Sequence, residues 1–120
     1  MRHWVARLPV LVMSIGIFWV SNQAVPVPQP FSFADKFYHV LAYAVYGWTL
    51  VLAVRTFPLT SRQRMILALT IGVLFAASDE LHQAFIPGRT ADVLDWVADA
   101  LGIVCVVVLT IVRNERACAK

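Results

Sequence analysis

Apolar residues gather in four runs, approximately Val5 to Val20, Phe37 to Val54, Met65 to Phe85 and Leu94 to Val112. With its flanks, each run is long enough to cross about 30 Å of hydrocarbon as a helix. Between them stand residues that break helices: Pro26, Pro28 and Pro30 in the first connection, Pro58 in the second, and Pro87 with Gly88 in the third. Two helix starts carry their own signal. Ser32 with Asp35 three residues on has the form of a capping box, and Thr60 with Gln63 repeats it. The pattern predicts an all-α membrane protein, a single domain over residues 1–120 with four transmembrane helices at about 5–22, 36–54, 63–86 and 93–112.

Composition supports that reading, because 60% of the residues are hydrophobic and the mean hydropathy is +0.73, too apolar for an ordinary water-soluble fold. Charge then supplies an orientation. Arg2, Arg7, Arg55, Arg62, Arg64, Arg113, Arg116 and Lys120 flank one set of helix ends, whereas only Lys36 and Arg89 flank the other. The positive-inside rule therefore predicts an N-in/C-in bundle, with the second connection cytoplasmic and the first and third facing outward. Trp4, Trp19, Trp96, Phe31, Phe33 and Phe37 fall where an aromatic belt is expected, and Trp48 does not. The basic residues form no stripe, and no glycine-rich phosphate loop is present, so neither nucleic acid nor a nucleotide is an expected partner.

The first run also has features of a cleavable signal peptide, but Asn22-Gln23-Ala24 matches a small-x-small site poorly, so it is expected to remain as an anchor. Cys105 and Cys118 lie about 20 Å apart if the stretch between them is helical, too far for a bridge.

The acidic residues change the picture most. Asp35, Asp79, Glu80, Asp92, Asp95 and Asp99, six of the seven in the chain, sit at or just inside the predicted outer ends of the spans. A carboxylate at a helix centre costs roughly 2.5–3.5 kcal/mol on insertion scales, so such groups usually have a task. Helical spacing resolves them into three stripes: Asp35, His39 and Tyr43 flanked by Lys36; Asp79 and Gln83 flanked by Glu80 and His82; and Asp92, Asp95 and Asp99 continued by Gly102, where another helix can approach closely.

Taken together, Asp35-Lys36-x-x-His39-x-x-x-Tyr43, then Ser78-Asp79-Glu80-x-x-Gln83-x-Phe85-x-Pro87-Gly88-Arg89, then Asp92-x-x-Asp95-x-x-x-Asp99-x-x-Gly102 resembles the VanZ-like family of small bacterial membrane proteins. The resemblance runs from about Asp35 to Gly102 and, with the flanking apolar runs, takes in nearly the whole chain. Asp99 stands where many members carry Asn, which adds a carboxylate here. The resemblance implies a multi-pass protein of the bacterial cytoplasmic (inner) membrane, in a family named for a member linked to resistance against the glycopeptide teicoplanin, without an established reaction.

Each polar residue has a structural and a functional reading. Asp79 and Glu80 either fix bundle register through interhelical hydrogen bonds or form a catalytic acid–base pair with His39, since crowded carboxylates cannot all ionise easily. Asp92 and Asp95 can be first-turn carboxylates stabilised by the helix dipole, while Asp99 lies too deep for that. Arg89 either pairs with Asp92 or Asp95 or forks onto a phosphate or carboxylate. The substrate-binding set expected is Lys36, Tyr43, Gln83, Arg89, Asp95 and Asp99, around an envelope or lipid-linked head group or cell-wall precursor. Alternatives are binding or shielding without chemistry, and a proton or cation pathway, against which no equivalent polar stripe continues to the cytoplasmic half. Membrane lipids are the surrounding partner, and an open groove would suit a second copy of the chain. No cofactor is expected. Asp35, His39, Asp79, Glu80 and Asp95 carry metal-ligand chemistry, but without HExxH-like spacing no metal is expected.

Overall fold

The computed structural model describes residues 3–24, 28 and 30–118, excepting the Cys118 side chain, and Arg2, Pro26 and Lys120 lie outside them. A three-residue 3-10 turn, Val5–Arg7, leads into α1 (Leu8–Ser21), followed by α2 (Ala34–Val54), α3 (Ser61–Gln83) and α4 (Val93–Cys118). No strand occurs among the described residues. Three of these helices, α2, α3 and α4, are long and apolar enough to cross a membrane, whereas Val5–Ser21 is shorter. The bundle is 50 Å along its longest axis, enough to pass through the full ~40–45 Å of a bilayer with its head groups.

Local chemistry sets the helix ends. At the start of α3 the Thr60 hydroxyl accepts from the Gln63 N–H, and the Gln63 side chain accepts from the Thr60 N–H, the reciprocal box read from the sequence. The box expected at Ser32 and Asp35 does not form. Instead Phe33 precedes α2 in the left-handed region at φ 65°, without a side-chain cap, and Asp35 turns to Lys36. Asp92 caps α4, its Oδ1 accepting from the Leu94 N–H at 2.8 Å. α3 stops at Gln83 rather than near 86, and α4 runs past the expected 112 to Cys118.

α2 and α4 make the most extensive helix–helix contact. It depends on glycine: a Cβ on Gly102 would run into the Val40 carbonyl oxygen and lie 2.9 Å from the Ala44 nitrogen, and one on Gly47 would lie 3.1 Å from the Ile103 Cα. The backbones touch where these side chains are missing, as small-residue crossings in membranes allow. Around the crossing, Tyr46, Leu50, Val51, Ile103 and Val107 form a buried core, with Ala68 and Ala76 of α3 closing it.

α1 is held at its start, where Arg7 Nε donates to Thr56 Oγ1 at 2.8 Å and the guanidinium lies 4.3 Å over the Phe57 ring. The start of α1 and the α2–α3 connection therefore share one end of the bundle. A small cavity lined by Arg55, Ser61, Arg64 and Asn114 brings the end of α4 to that end too. Ala24 approaches Gly88 at the opposite end, so the first and third connections are together.

Large apolar side chains remain exposed along all four helices, including Val12, Ile15, Trp48, Leu74 and Leu109. A patch this extended is foreign to a water-soluble monomer and suits lipid chains, which also accounts for Trp48 in the middle of α2. Trp96, expected in the aromatic belt, turns inward and donates from Nε1 to the Val73 carbonyl at 3.3 Å.

Candidate functional site

The three polar stripes meet because the α2–α4 crossing turns the His39 face of α2 toward the Asp99 face of α4, and the last turns of α3 close the third side. Each pair of helices is then bridged by a named bond. His39 Nδ1 and Asp99 Oδ1 lie 2.8 Å apart between α2 and α4. The Tyr43 hydroxyl donates to Asp79 Oδ2 at 2.9 Å between α2 and α3. Glu80 Oε2 accepts from the Asp92 backbone N–H at 3.1 Å, tying the end of α3 to the start of α4. Within α3, Gln83 Nε2 donates to Glu80 Oε1 at 3.2 Å and lies 3.5 Å from Asp79 Oδ2.

At the rim, Lys36 is the hub. Its ammonium donates to Asp35 at 3.0 Å and Asp92 at 2.7 Å, and pairs with Asp95 Oδ1 as well. Asp95 Oδ2 faces His39 Nε2 at 3.8 Å, which links the rim to the deeper layer. Outside the spans, the Lys36 ammonium and the Leu94 N–H hold the Asp92 carboxyl below the usual carboxylate range.

The deeper layer is nearly closed to solvent: Asp79, Glu80, Gln83 and Asp99 are 2%, 6%, 4% and 0% exposed. Among the described residues, two of its oxygens, Asp79 Oδ1 and Asp99 Oδ2, are buried without a hydrogen-bond partner. Burying an acceptor this way is expensive unless something else meets it. His39, Glu80 and Asp99 bring one ligand atom each within 4.8 Å of one another, a donor set of one imidazole and two carboxylates able to hold a metal ion.

All nine residues expected at the site lie at this end, in different relations. Lys36, His39, Tyr43, Asp79, Glu80, Gln83, Asp95 and Asp99 form one linked network. Arg89 stands apart. Among the described residues it makes no ion pair to Asp92 or Asp95, which Lys36 engages instead, and its Nε is buried without a partner. His82 leaves the network, stacking on Phe18 of α1 with centroids 4.2 Å apart.

Two features of the site were not among those expected from the sequence. Asp99 is the direct partner of His39, and Ser14 of α1 reaches the Tyr46 hydroxyl at 3.3 Å. The helical phase of Asp99 relative to Gly102 was the signal for the first. Ser14, a single hydroxyl in an apolar run, was the signal for the second. A groove of about 510 Å³ lies between α1 and α3, lined by Ser14, Ile15, Phe18, Trp19, Asn22 and Phe75, and its lining includes none of the network's carboxylates.

In comparisons with known proteins, the sequence model of the VanZ/LLP1 family matches residues 4–114. No curated protein and no solved structure matches the chain.

Proposed function

The chain belongs to the VanZ/LLP1 family, and on that premise we propose that it is a four-span protein of the bacterial cytoplasmic membrane whose acidic network binds, and acts on, an envelope or lipid-linked head group. In this reading α1 is the fourth span, with Val5–Ser21 completed by flanking residues. In the same reading both termini are cytoplasmic and the network lies beneath the outer surface, an orientation the distribution of Lys and Arg supports.

The observation that carries the proposal is the convergence of three helices' polar stripes into one buried network at one end of an otherwise apolar bundle. A stability role alone would be served by fewer charges, because buried carboxylates return less than they cost. The charge balance also describes the ligand. Lys36 is committed to three aspartates, which leaves Arg89 as the cation for a phosphate or carboxylate, while the surrounding carboxylates suit amine or hydroxyl donors. A head group carrying both kinds of group fits best. Asp79, with an oxygen lacking a partner, and Glu80 are the acid–base pair, and His39, braced by Asp99, relays protons.

A second reading, binding without chemistry, draws on Glu80: both of its oxygens accept structural hydrogen bonds, from Gln83 and from the Asp92 N–H. Such a protein would shield a cell-wall precursor from a large glycopeptide such as teicoplanin. Mass spectrometry of envelope lipids and cell-wall precursors separates the two readings, comparing cells with the intact protein, Asp79→Asn, Glu80→Gln or no protein. A species that changes only with the intact protein supports chemistry. An unchanged profile, with teicoplanin susceptibility still lowered, supports shielding, and no change in either removes both.

A further inference from the structure

We propose that His39, Glu80 and Asp99 bind a divalent transition-metal cation of the Zn²⁺ or Mn²⁺ class at the junction of α2, α3 and α4. The proposal goes beyond the head-group reading and rests on the geometry of these residues alone; with an ion bound, His39 and Glu80 serve as its ligands in place of the proton roles given them above. One imidazole and two carboxylates bring their ligand atoms within 4.8 Å of one another. Ligands to one such ion at about 2.0–2.2 Å in the tetrahedral arrangement lie about 3.3–3.6 Å apart, so the widest pair closes by about 1.2–1.5 Å, within reach of a side-chain rotation. Independently of that spacing, Asp99 Oδ2 is buried without a partner on a fully buried side chain, as an acceptor awaiting a donor or a cation would be.

The surroundings match what a metal site needs beyond its ligands. With Nδ1 at the ion in place of its present contact to Asp99, the other nitrogen of His39 faces the Asp95 carboxylate at 3.8 Å, and closing that gap to a hydrogen bond would give the carboxylate–histidine–metal arrangement that orients a ligating ring. Glu80 is held by Gln83 and by the Asp92 backbone N–H, which fixes its carboxylate between α3 and α4. Charge favours a cation as well. Three buried carboxylates, Asp79, Glu80 and Asp99, share this layer with a single imidazole, while Lys36 is occupied at the rim by Asp35, Asp92 and Asp95. The imidazole suits Zn²⁺ and the two carboxylates suit Mn²⁺, and a mixed set this small lacks the roughly six to eight oxygens of a Ca²⁺ site and the all-oxygen octahedron of a Mg²⁺ site. The ligands come from three separate helices, which explains why no compact motif in the sequence announces them.

The test uses the full chain in lipid nanodiscs, stripped with EDTA and titrated with ZnCl₂, MnCl₂, MgCl₂ or CaCl₂ by calorimetry and by thermal unfolding. One Zn²⁺ or Mn²⁺ per chain is expected, with a rise in unfolding temperature. Asp99→Asn and His39→Gln should weaken that binding at least 100-fold, and Asp95→Asn about tenfold, as for orienting partners of metal ligands. Asp35→Asn, outside the ligand set, should keep the wild-type affinity. Helicity and size-exclusion profiles identify variants that fold, and Glu80→Gln substitutes for any ligand variant that does not. Absence of stoichiometric Zn²⁺ and Mn²⁺ binding, whatever Mg²⁺ or Ca²⁺ does, or equal affinity in the wild type and in folded ligand variants, overturns the proposal. No substrate is present in the assay, so that failure would leave the head-group reading standing.

Discussion

Replacing Gly102 with alanine should loosen the whole bundle by adding one methyl group. Built on this backbone, the new Cβ overlaps the Val40 carbonyl oxygen and lies 2.9 Å from the Ala44 nitrogen and 3.2 Å from the Val40 carbonyl carbon. All three obstacles are main chain of α2, so no rotamer change relieves them and the helices must separate. Overpacking of this kind costs about 1–3 kcal/mol, and the backbone obstacle places Gly102 at the upper end. Alanine's helix preference returns up to about 1 kcal/mol, for a net loss of about 2 kcal/mol. The same separation stretches the 2.8 Å His39–Asp99 pair, since Val40 follows His39 and Gly102 lies one turn beyond Asp99. Reversible unfolding in mixed micelles measures the first effect, and the chemical shifts of the His39 ring report the second. Gly16→Ala is the matched control, because nothing lies within 4 Å of its new Cβ, and it should be neutral or slightly stabilising. Gly102→Ala at or above wild-type stability, with the His39 signals unmoved, would refute a backbone-limited crossing.

Lys36→Met leaves Asp35, Asp92 and Asp95 facing one another without their shared cation. It should cost about 2–3 kcal/mol by the same unfolding assay, more than any one of the three Asp→Asn changes. Tyr43→Phe removes the donor to the buried Asp79 carboxylate and should destabilise by about 1–3 kcal/mol, a loss that Asp79→Asn should not add to in full because the two share one bond. Asp92 gives a pH dependence of definite sign. Its folded-state pKa is depressed, so its contribution is complete above the ordinary value of 3.8 and is lost as pH falls through the lower folded value. Thermal stability should therefore carry an acid-limb component, absent from Asp92→Asn, that appears only below about pH 4.

Much of this fold was legible because its signals are local. The apolar runs, the Thr60–Gln63 box and the three stripes depend on residues within a turn or two of one another, and helical periodicity projects them onto faces. Gly102 was readable for the same reason, as a gap in line with Asp95 and Asp99. What the sequence withheld was the rotation of each helix against the next. That rotation gives Asp92 and Asp95 to Lys36 rather than to Arg89, and Asp99 to His39. The Ser32–Asp35 signal misled because a tertiary competitor was available: Lys36 draws the Asp35 carboxylate away from the helix end, and Phe33 adopts a left-handed conformation to start α2. The fourth span was inferred from apolar length alone, and α1 with its 3-10 turn falls short of the other three helices.

The α2–α4 partnership has a consequence for biosynthesis. Lys36 and His39 leave the ribosome 56 and 60 residues ahead of Asp92 and Asp99. At about 5–20 residues per second, that is a wait of roughly 3–12 s. Throughout that interval α2 must occupy the bilayer with an ammonium that has only Asp35 of its three carboxylates and an imidazole that has none. Lys36 lies close enough to the helix start to snorkel into the head groups, but His39 lies a further turn inside. Insertion of α2 is thus committed before its contacts with α4 can form, and the nascent chain is most vulnerable to membrane quality control between the exit of α2 and the arrival of α4. Codon or linker changes that lengthen this interval should lower the yield of folded protein without altering any contact in the finished bundle.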